Sequence, residues 1–174
     1  MAAWGVLHSW IAALSTKRLA RGVFGKEIDR YYRLIFVVTA VLTLSPILAM
    51  VAFLPARLLW VIPSSWRMLT LSIQLFALVG ILITVFQTDL MAFAGIKQLR
   101  NPMAEKENVL VIKGPYRIVR HPMYLFSILL FWLTPFVTDL VLAFITASTL
   151  YFLIGTVPEE QKLVEIYGEE YKRY

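Results

Sequence analysis

The sequence predicts an all-α integral membrane bundle of about five transmembrane helices, and three observations support this class. Hydrophobic residues make up 59% of the 174 residues, and charged residues make up only 16%. An average soluble domain is about half apolar and about a quarter charged. Several stretches are also nearly charge-free over about 20 residues, the length that crosses a bilayer core. We therefore expect the excess apolar surface to face lipid.

The N-terminal region, residues 1–96, is predicted to hold three transmembrane helices. Residues 32–54 and 68–86 are the clearest spans because each is long, apolar and almost free of charge. The first stretch, residues 1–16, fits a short span, an interfacial helix or a signal peptide. Its neighbouring cations follow the apolar part, which disfavours a signal peptide.

The C-terminal region, residues 97–174, is predicted to combine a loop, a hairpin and a terminal helix. The loop covers residues 97–121, and its length is typical of functional loops. Residues 122–157 predict a transmembrane helical hairpin that turns near Asp139. Beyond it, Leu163, Tyr167, Tyr171 and Tyr174 recur at helical spacing and predict an amphipathic helix that packs or lies on the membrane.

The distribution of basic residues predicts the topology. If five spans are counted, fifteen of the seventeen Lys and Arg residues fall on one side, and only Arg57 and Arg67 fall on the other. By the positive-inside rule the C-terminus and the loop at residues 97–121 are predicted to be cytoplasmic and the N-terminus to be outside. This asymmetry explains the net charge of +6 without nucleic acid. Because the chain has no Cys and only two His, no metal site is predicted either.

Candidate site residues gather where the hairpin begins and ends. Proline suits the first turn of a helix, so the hairpin is predicted to begin at Pro122, with Arg120 and His121 at the positive end of the helix dipole. That position attracts a carboxylate or a phosphate, although Arg120 could instead only anchor the helix to lipid headgroups. Because an antiparallel hairpin returns to the side that it left, Glu159 and Glu160 should lie beside these residues. The four side chains could form a structural ion-pair network or bind a zwitterionic ligand.

The order of these motifs resembles the isoprenylcysteine carboxyl methyltransferase family, which is related to the phospholipid methyltransferases. The similarity covers residues 101–174 and is closest to small prokaryotic members, archaeal ones included. It is carried by Lys113-Gly114-Pro115-Tyr116, then Val119-Arg120-His121-Pro122-Met123-Tyr124, the apolar hairpin, Glu159-Glu160, and Tyr167-Gly168-Glu169-Glu170-Tyr171.

The resemblance implies an S-adenosylmethionine-dependent methyltransferase that releases S-adenosylhomocysteine and acts on a lipophilic small molecule or lipid-modified substrate in the membrane. Arg120 and Glu160 are the expected catalytic residues, with Arg120 orienting an anionic head group. The expected cofactor contacts are Asn101, Asn108, Val109, Leu110, Val111, Tyr116, His121, Pro122, Met123, Tyr124, Glu159 and Glu160.

The sequence departs from this family just before the acidic pair. Relatives that methylate prenylcysteine carry an arginine there, whereas this chain reads Leu-Ile-Gly-Thr-Val-Pro over residues 153–158. The chain also ends before the basic tail of many relatives, so a longer C-terminus is expected. The acceptor therefore stays open between a prenylcysteine-like carboxylate and a phospholipid amine. Two hypotheses from outside the methyltransferases also stay open: a non-catalytic membrane carrier or assembly protein, and a nicotinamide-dependent reductase of similar fold.

Overall fold

The computed structural model describes residues 1–101 and 110–174 and confirms the all-α membrane class. Helices form nearly all of its regular structure, and one small sheet joins two connecting segments. The elements are α1 (Ala2–Ala12), α2 (Leu14–Phe24), α3 (Ile28–Phe53), β1 (Leu58–Val61), α4 (Ser64–Gln87), α5 (Leu90–Phe93), α6 (Ile96–Arg100), α7 (Pro122–Trp132), β2 (Phe136–Thr138), α8 (Asp139–Tyr167) and α9 (Glu169–Arg173).

The chain forms two compact units. The first combines Met1–Ala52 with the described residues 88–101, and the second combines Phe53–Gln87 with Leu110–Tyr174. The sequence-based division into regions 1–96 and 97–174 concerns function, and it stays a prediction.

In the first unit, α1 lies antiparallel along the first half of α3. The indole N–H of Trp4 donates to the carbonyl of Ala40 at 3.4 Å, and the hydroxyl of Tyr32 donates to the carbonyl of Ile11 at 2.7 Å. Residue numbers rise along one helix as they fall along the other, which defines the antiparallel direction. A single extended residue, Ala13, separates α1 from α2, so the ambiguous stretch 1–16 contains one complete short helix and the start of a second.

In the second unit, α7 packs antiparallel against α4. The ring of Phe126 in α7 lies over Gly80 of α4, where an added Cβ would come within 2.6 Å of ring carbons. The side-chain amide of Gln74 donates to the carbonyl of Leu130 at 3.0 Å. Glycine at residue 80 therefore lets the aromatic ring fill the space between the two helices.

Helices α7 and α8 form the predicted hairpin. The indole of Trp132 donates to the hydroxyl of Thr149 at 3.0 Å near the turn, and the ring of Tyr124 stacks on that of Phe152 at 4.8 Å further along. The start of α7 at Pro122 is confirmed. Helix α8 continues through Pro158, beyond the expected end of the hairpin. A proline inside a helix removes one backbone N–H donor, and the helical hydrogen bonds on both sides of it remain.

The turn of the hairpin is fixed by a two-stranded antiparallel sheet that the sequence did not predict. Strands β1 and β2 pair Val61 with Phe136, and the register shifts by a bulge before Leu58 pairs with Thr138. Asp139, assigned from the sequence to a turn, closes the strand end: its N–H donates to the carbonyl of Arg57 at 3.0 Å, and its carboxylate accepts from the N–H of Arg57 at 3.2 Å.

Within the described residues, three helices are long and apolar enough to cross a membrane: α3, α4 and α8. Helix α7 is apolar but has only 11 residues, which at about 1.5 Å per residue is roughly half of a hydrocarbon core. Length and composition thus identify three spans, and the count of about five stays a prediction.

The contact between Gly80 and Phe126 can be tested by enlarging the glycine. We expect Gly80→Leu to lower the free energy of unfolding by about 1–3 kcal/mol, as overpacking of a tight contact does. Gly155→Leu in α8 is the matched control, because an added Cβ there meets nothing within 4 Å. Denaturant unfolding in detergent micelles measures both variants, and an equal effect at the two positions would contradict the packing described.

Candidate functional site

The chain enters the site through a tight turn before α7. The segment Gly114–Arg117 forms a 3₁₀ helix. Gly114 adopts a φ of +53°, and a Cβ there would clash with the side-chain nitrogen of Gln87, at the end of α4. The positive φ favours glycine, and any larger residue would also have to displace the side chain of Gln87. The turn therefore packs closely on α4 and fixes the position of Tyr116.

The first turn of α7 is a position that attracts anions. His121 is the residue before the helix, and Pro122, buried, occupies the first helical position. The N–H groups of a first helical turn have no partner inside the helix, and the helix dipole adds partial positive charge there. Arg120 and His121 thus stand at the positive end of α7.

Glu160 of α8 is the centre of the site. Its Oε2 accepts a hydrogen bond from the guanidinium of Arg120 at 2.9 Å. Its Oε1 lies 2.7 Å from Nε2 of His121 and accepts from the hydroxyl of Tyr171, also at 2.7 Å. An ionised carboxylate can only accept, so the ring of His121 carries its proton on Nε2 in this arrangement. One carboxylate therefore joins the start of α7, the end of α8 and helix α9.

Glu159 has a different environment from its neighbour. Its Oε2 accepts a hydrogen bond from the hydroxyl of Tyr124 at 2.5 Å and lies 3.6 Å from Nδ1 of His121. Its side chain is 42% exposed, and in the described part of the chain Oε1 makes no hydrogen bond. Glu159 therefore keeps an oxygen that can accept from a ligand, whereas both oxygens of Glu160 are occupied.

Two C-terminal tyrosines cover the ion pair. The guanidinium of Arg120 lies over the ring of Tyr171 at 5.2 Å and near that of Tyr174 at 5.9 Å. The hydroxyl of Tyr174 donates to the carbonyl of Tyr116 in the turn before α7. Tyr171 is only 2% exposed. Helix α9 therefore packs on the site as part of it, with Gly168, at a φ of +60°, separating it from α8.

Burial and nearby charges raise the pKa of these phenols. Burial raises the pKa of Tyr171 well above its usual value of 10, and the hydrogen bond to Glu160 adds to the shift. Burial also raises the pKa of Tyr116, with the negative charge of Glu159 as the next cause. Both hydroxyls therefore stay protonated near neutral pH, and that of Tyr171 donates to Glu160.

The structure brings six of the sequence-predicted residues into this cluster: Tyr116, Arg120, His121, Tyr124, Glu159 and Glu160. The predicted proximity of the two glutamates to Arg120 and His121 is confirmed. Their functional roles stay predictions.

The remaining predicted residues are more loosely connected to the cluster. Pro122 and Met123 belong to the first turn of α7, and Leu110 and Val111 are half-buried in the segment that precedes the 3₁₀ turn. Asn101 caps α6 in the first unit. Asn108 and Val109 lie outside the described residues.

Sequence reasoning missed the role of Tyr171 and Tyr174 in this cluster. The helical stripe that contains them predicted a packing face, and the structure adds that this face binds Arg120 and Glu160. The signal was present in the spacing, but an apolar stripe does not identify the surface that it contacts.

A comparison with known families matches residues 69–170 to a family model described as phospholipid methyltransferase. The match covers most of α4, the hairpin and the site residues up to Glu160, and it is longer than half of the chain. No solved structure matches the chain.

Known relatives are similar to parts of the chain. A methanethiol S-methyltransferase of Pseudomonas deceptionensis is 54% identical over 59 residues, covering 34% of this chain and 22% of that protein. Another, of Crocosphaera subtropica, is 39% identical over 106 residues, covering 58% and 42%. Methanethiol S-methyltransferase 1 of Bradyrhizobium diazoefficiens is 37% identical over 83 residues, covering 46% and 29%. The chain thus spans less than half the length of these relatives.

The bond from Tyr171 to Glu160 should contribute measurably to stability. A hydrogen bond to a charged group contributes about 1.5–3 kcal/mol, and partial exposure of the glutamate reduces this, so we expect Tyr171→Phe to lower the free energy of unfolding by about 1–2 kcal/mol. Tyr31→Phe is the matched control because Tyr31 is 45% exposed. Denaturant titration of both variants tests this, and no difference between them would show that the bond is not formed.

Proposed function

The chain belongs to the phospholipid methyltransferase family, as its C-terminal motifs predicted, and from that premise we propose that it is a membrane methyltransferase that uses S-adenosylmethionine. The proposal is supported by the cluster around Glu160, which holds Arg120 and His121 at the start of α7. Among the described residues, it leaves Oε1 of Glu159 without a hydrogen bond. The cytoplasmic location predicted for this cluster is part of the proposal.

The chemistry of the cluster fits the two ends of this cofactor. S-adenosylmethionine carries a carboxylate, an ammonium group and a sulfonium. The start of α7 suits the carboxylate because backbone N–H groups and the helix dipole face it. Within the described residues Oε1 of Glu159 accepts no hydrogen bond, so one of its lone pairs suits a ribose hydroxyl and the other stays available to a second donor. Tyr116, with Leu110 and Val111 before it, suits an apolar adenine ring.

We assign different roles to the two glutamates. Glu160 is a positioning residue, since three donors occupy its carboxylate and fix Arg120, His121 and Tyr171. Glu159 is the residue that contacts the ligand, because it is more exposed and has the free oxygen. The sequence had suggested a catalytic role for Glu160, and its contacts favour an indirect one.

Arg120 is also better suited to positioning than to substrate binding. Its guanidinium is paired with Glu160 and covered by two tyrosine rings. A guanidinium already neutralised by a carboxylate attracts an anionic head group only weakly. With no cation in residues 153–158, the cluster offers little to hold the carboxylate of a prenylcysteine.

We therefore propose that the acceptor is a small neutral nucleophile, with a thiol as the leading class. The name methanethiol S-methyltransferase, carried by the relatives described above, supports this class. When bound, S-adenosylmethionine supplies an electrophilic methyl group. The protein supplies proximity and a site protected from water.

A thiol acceptor must also lose a proton, and the cluster contains a group that can take it. The free oxygen of Glu159 can accept the proton, and the hydroxyl of Tyr124 stabilises the carboxylate beforehand through its hydrogen bond. His121 contacts both glutamates and keeps the two carboxylates in their relative positions. Glu159 would then hold the thiol proton, and the bound cofactor would supply the methyl group from its sulfonium sulfur and leave as S-adenosylhomocysteine.

The cofactor proposal predicts a specific pattern of binding. We expect the protein to bind S-adenosylhomocysteine, and we expect Glu159→Ala and His121→Ala each to weaken binding by more than about tenfold, or about 1.4 kcal/mol. Glu165→Ala is the control, since this glutamate is exposed on the same helix. Calorimetry measures the affinities, and circular dichroism checks that each variant folds. Absence of any heat with the wild type at saturating ligand would refute the cofactor assignment.

The acceptor proposal predicts the class of product. With methyl-labelled S-adenosylmethionine, we expect the label to move to methanethiol faster than to a prenylcysteine analogue or to phosphatidylethanolamine. We expect Glu159→Gln to slow transfer to methanethiol by about 100-fold or more, as loss of a general base does. Volatile dimethyl sulfide is collected and counted. Label in the methyl ester of the prenylcysteine analogue would instead identify carboxyl methylation. Label in the amine of the lipid would identify phospholipid N-methylation. Cofactor binding without transfer to any of the three would favour a non-catalytic role.

A further inference from the structure

Helix α2 separates its basic residues from its apolar residues. Lys17 and Arg21 are four residues apart, and Arg18 lies beside them on the same side of the helix. Leu19 and Val23 are also four residues apart and lie on the other side. The helix, Leu14–Phe24, contains no acidic residue.

The apolar side of α2 is not covered by the rest of the described chain. Leu19 is 63% exposed and Val23 is 68% exposed. A helix that exposes large apolar side chains on one side and cations on the other is the arrangement that lies in the interface of a membrane.

The position of α2 in the chain shows which environment is nearby. Helix α3, one of the three candidate spans, begins at Ile28, four residues after α2 ends. Gly25, at a φ of +74°, ends α2, and the side chain of Arg21 pairs with Asp29 of α3 at 3.3 Å. The helix is therefore held next to the end of a span, where the headgroup layer lies.

We propose that α2 is an in-plane helix that binds the anionic headgroup layer of the bilayer. Its apolar side, with Leu19 and Val23, enters the boundary of the acyl chains, and Lys17 and Arg18 contact lipid phosphates. The charge complementarity is specific in sign, because a helix with cations and no acids favours an anionic surface over a zwitterionic one. This lipid site is separate from the methyltransferase proposal and does not depend on it.

Because the protein has no cysteine, single-cysteine spin labelling can test this in the full chain without background. Labels are placed by Val23→Cys on the apolar side and by Arg18→Cys on the basic side. The protein is reconstituted in nanodiscs of phosphatidylcholine alone or of phosphatidylcholine with phosphatidylglycerol. Collision with oxygen, which concentrates in lipid, and with a water-soluble nickel chelate then reports the environment of each label.

In the anionic nanodiscs we expect the Val23 label to favour oxygen and the Arg18 label to favour nickel. In phosphatidylcholine alone the contrast should shrink. The double variant Lys17→Gln with Arg18→Gln, labelled at residue 23, should lose the dependence on anionic lipid. We expect each removed cation to change the ratio of membrane-bound to unbound α2 about fivefold. Circular dichroism of each variant checks that the helices are retained.

Two other outcomes would overturn the proposal. Equal nickel accessibility at both positions in every nanodisc would place α2 in water. Protection of the Val23 label from both oxygen and nickel would show that protein, such as a second copy of the chain, covers this side.

Discussion

The carboxylate of Glu160 is the constraint on which the described site depends. It is bound by Arg120 and His121 from the residues before α7 and by Tyr171 from α9. A carboxylate at the end of an apolar helix is unfavourable without such partners. Because the three donors come from two other parts of the chain, satisfying this one charge also fixes where the hairpin closes and where the C-terminal helix packs.

The rest of the site follows from that closure. With Glu160 held, the adjacent Glu159 lies near His121 and Tyr124, and the stacking of Tyr124 on Phe152 holds the two helices of the hairpin together there. At the opposite end, the β1–β2 sheet and Asp139 fix the turn. The hairpin is thus held at both ends by polar contacts and along its length by aromatic packing, so the ligand-facing groups are held in place before any ligand arrives.

The parts of this arrangement that were predictable depend on local chemistry. Proline at the first position of a helix predicted where α7 begins, and the return of a hairpin to its own side predicted that Glu159 and Glu160 would meet Arg120 and His121. The β1–β2 pairing joins strands far apart in sequence, and the four exposed residues of β1 show no alternation that would predict a strand. The distinct roles proposed for the two glutamates were not predictable from the sequence either. Adjacent helical residues differ by about 100° in direction, and only tertiary packing decides which carboxylate is bound by neighbouring donors.

The net charge of the cluster limits the ligands that it can favour. Arg120 contributes one positive charge, and the two glutamates contribute two negative charges, so the carboxylates exceed the guanidinium by one. A sulfonium or an ammonium is attracted to such a site, whereas a carboxylate acceptor placed beside Glu159 would be repelled, and the repulsion grows as water is excluded. A neutral thiol avoids that repulsion and can give its proton to Glu159, which lowers the excess negative charge as the reaction proceeds. In the proposed reaction, a carboxylate that attracts a cationic methyl donor would therefore disfavour an anionic acceptor and favour one that arrives neutral and leaves a proton behind.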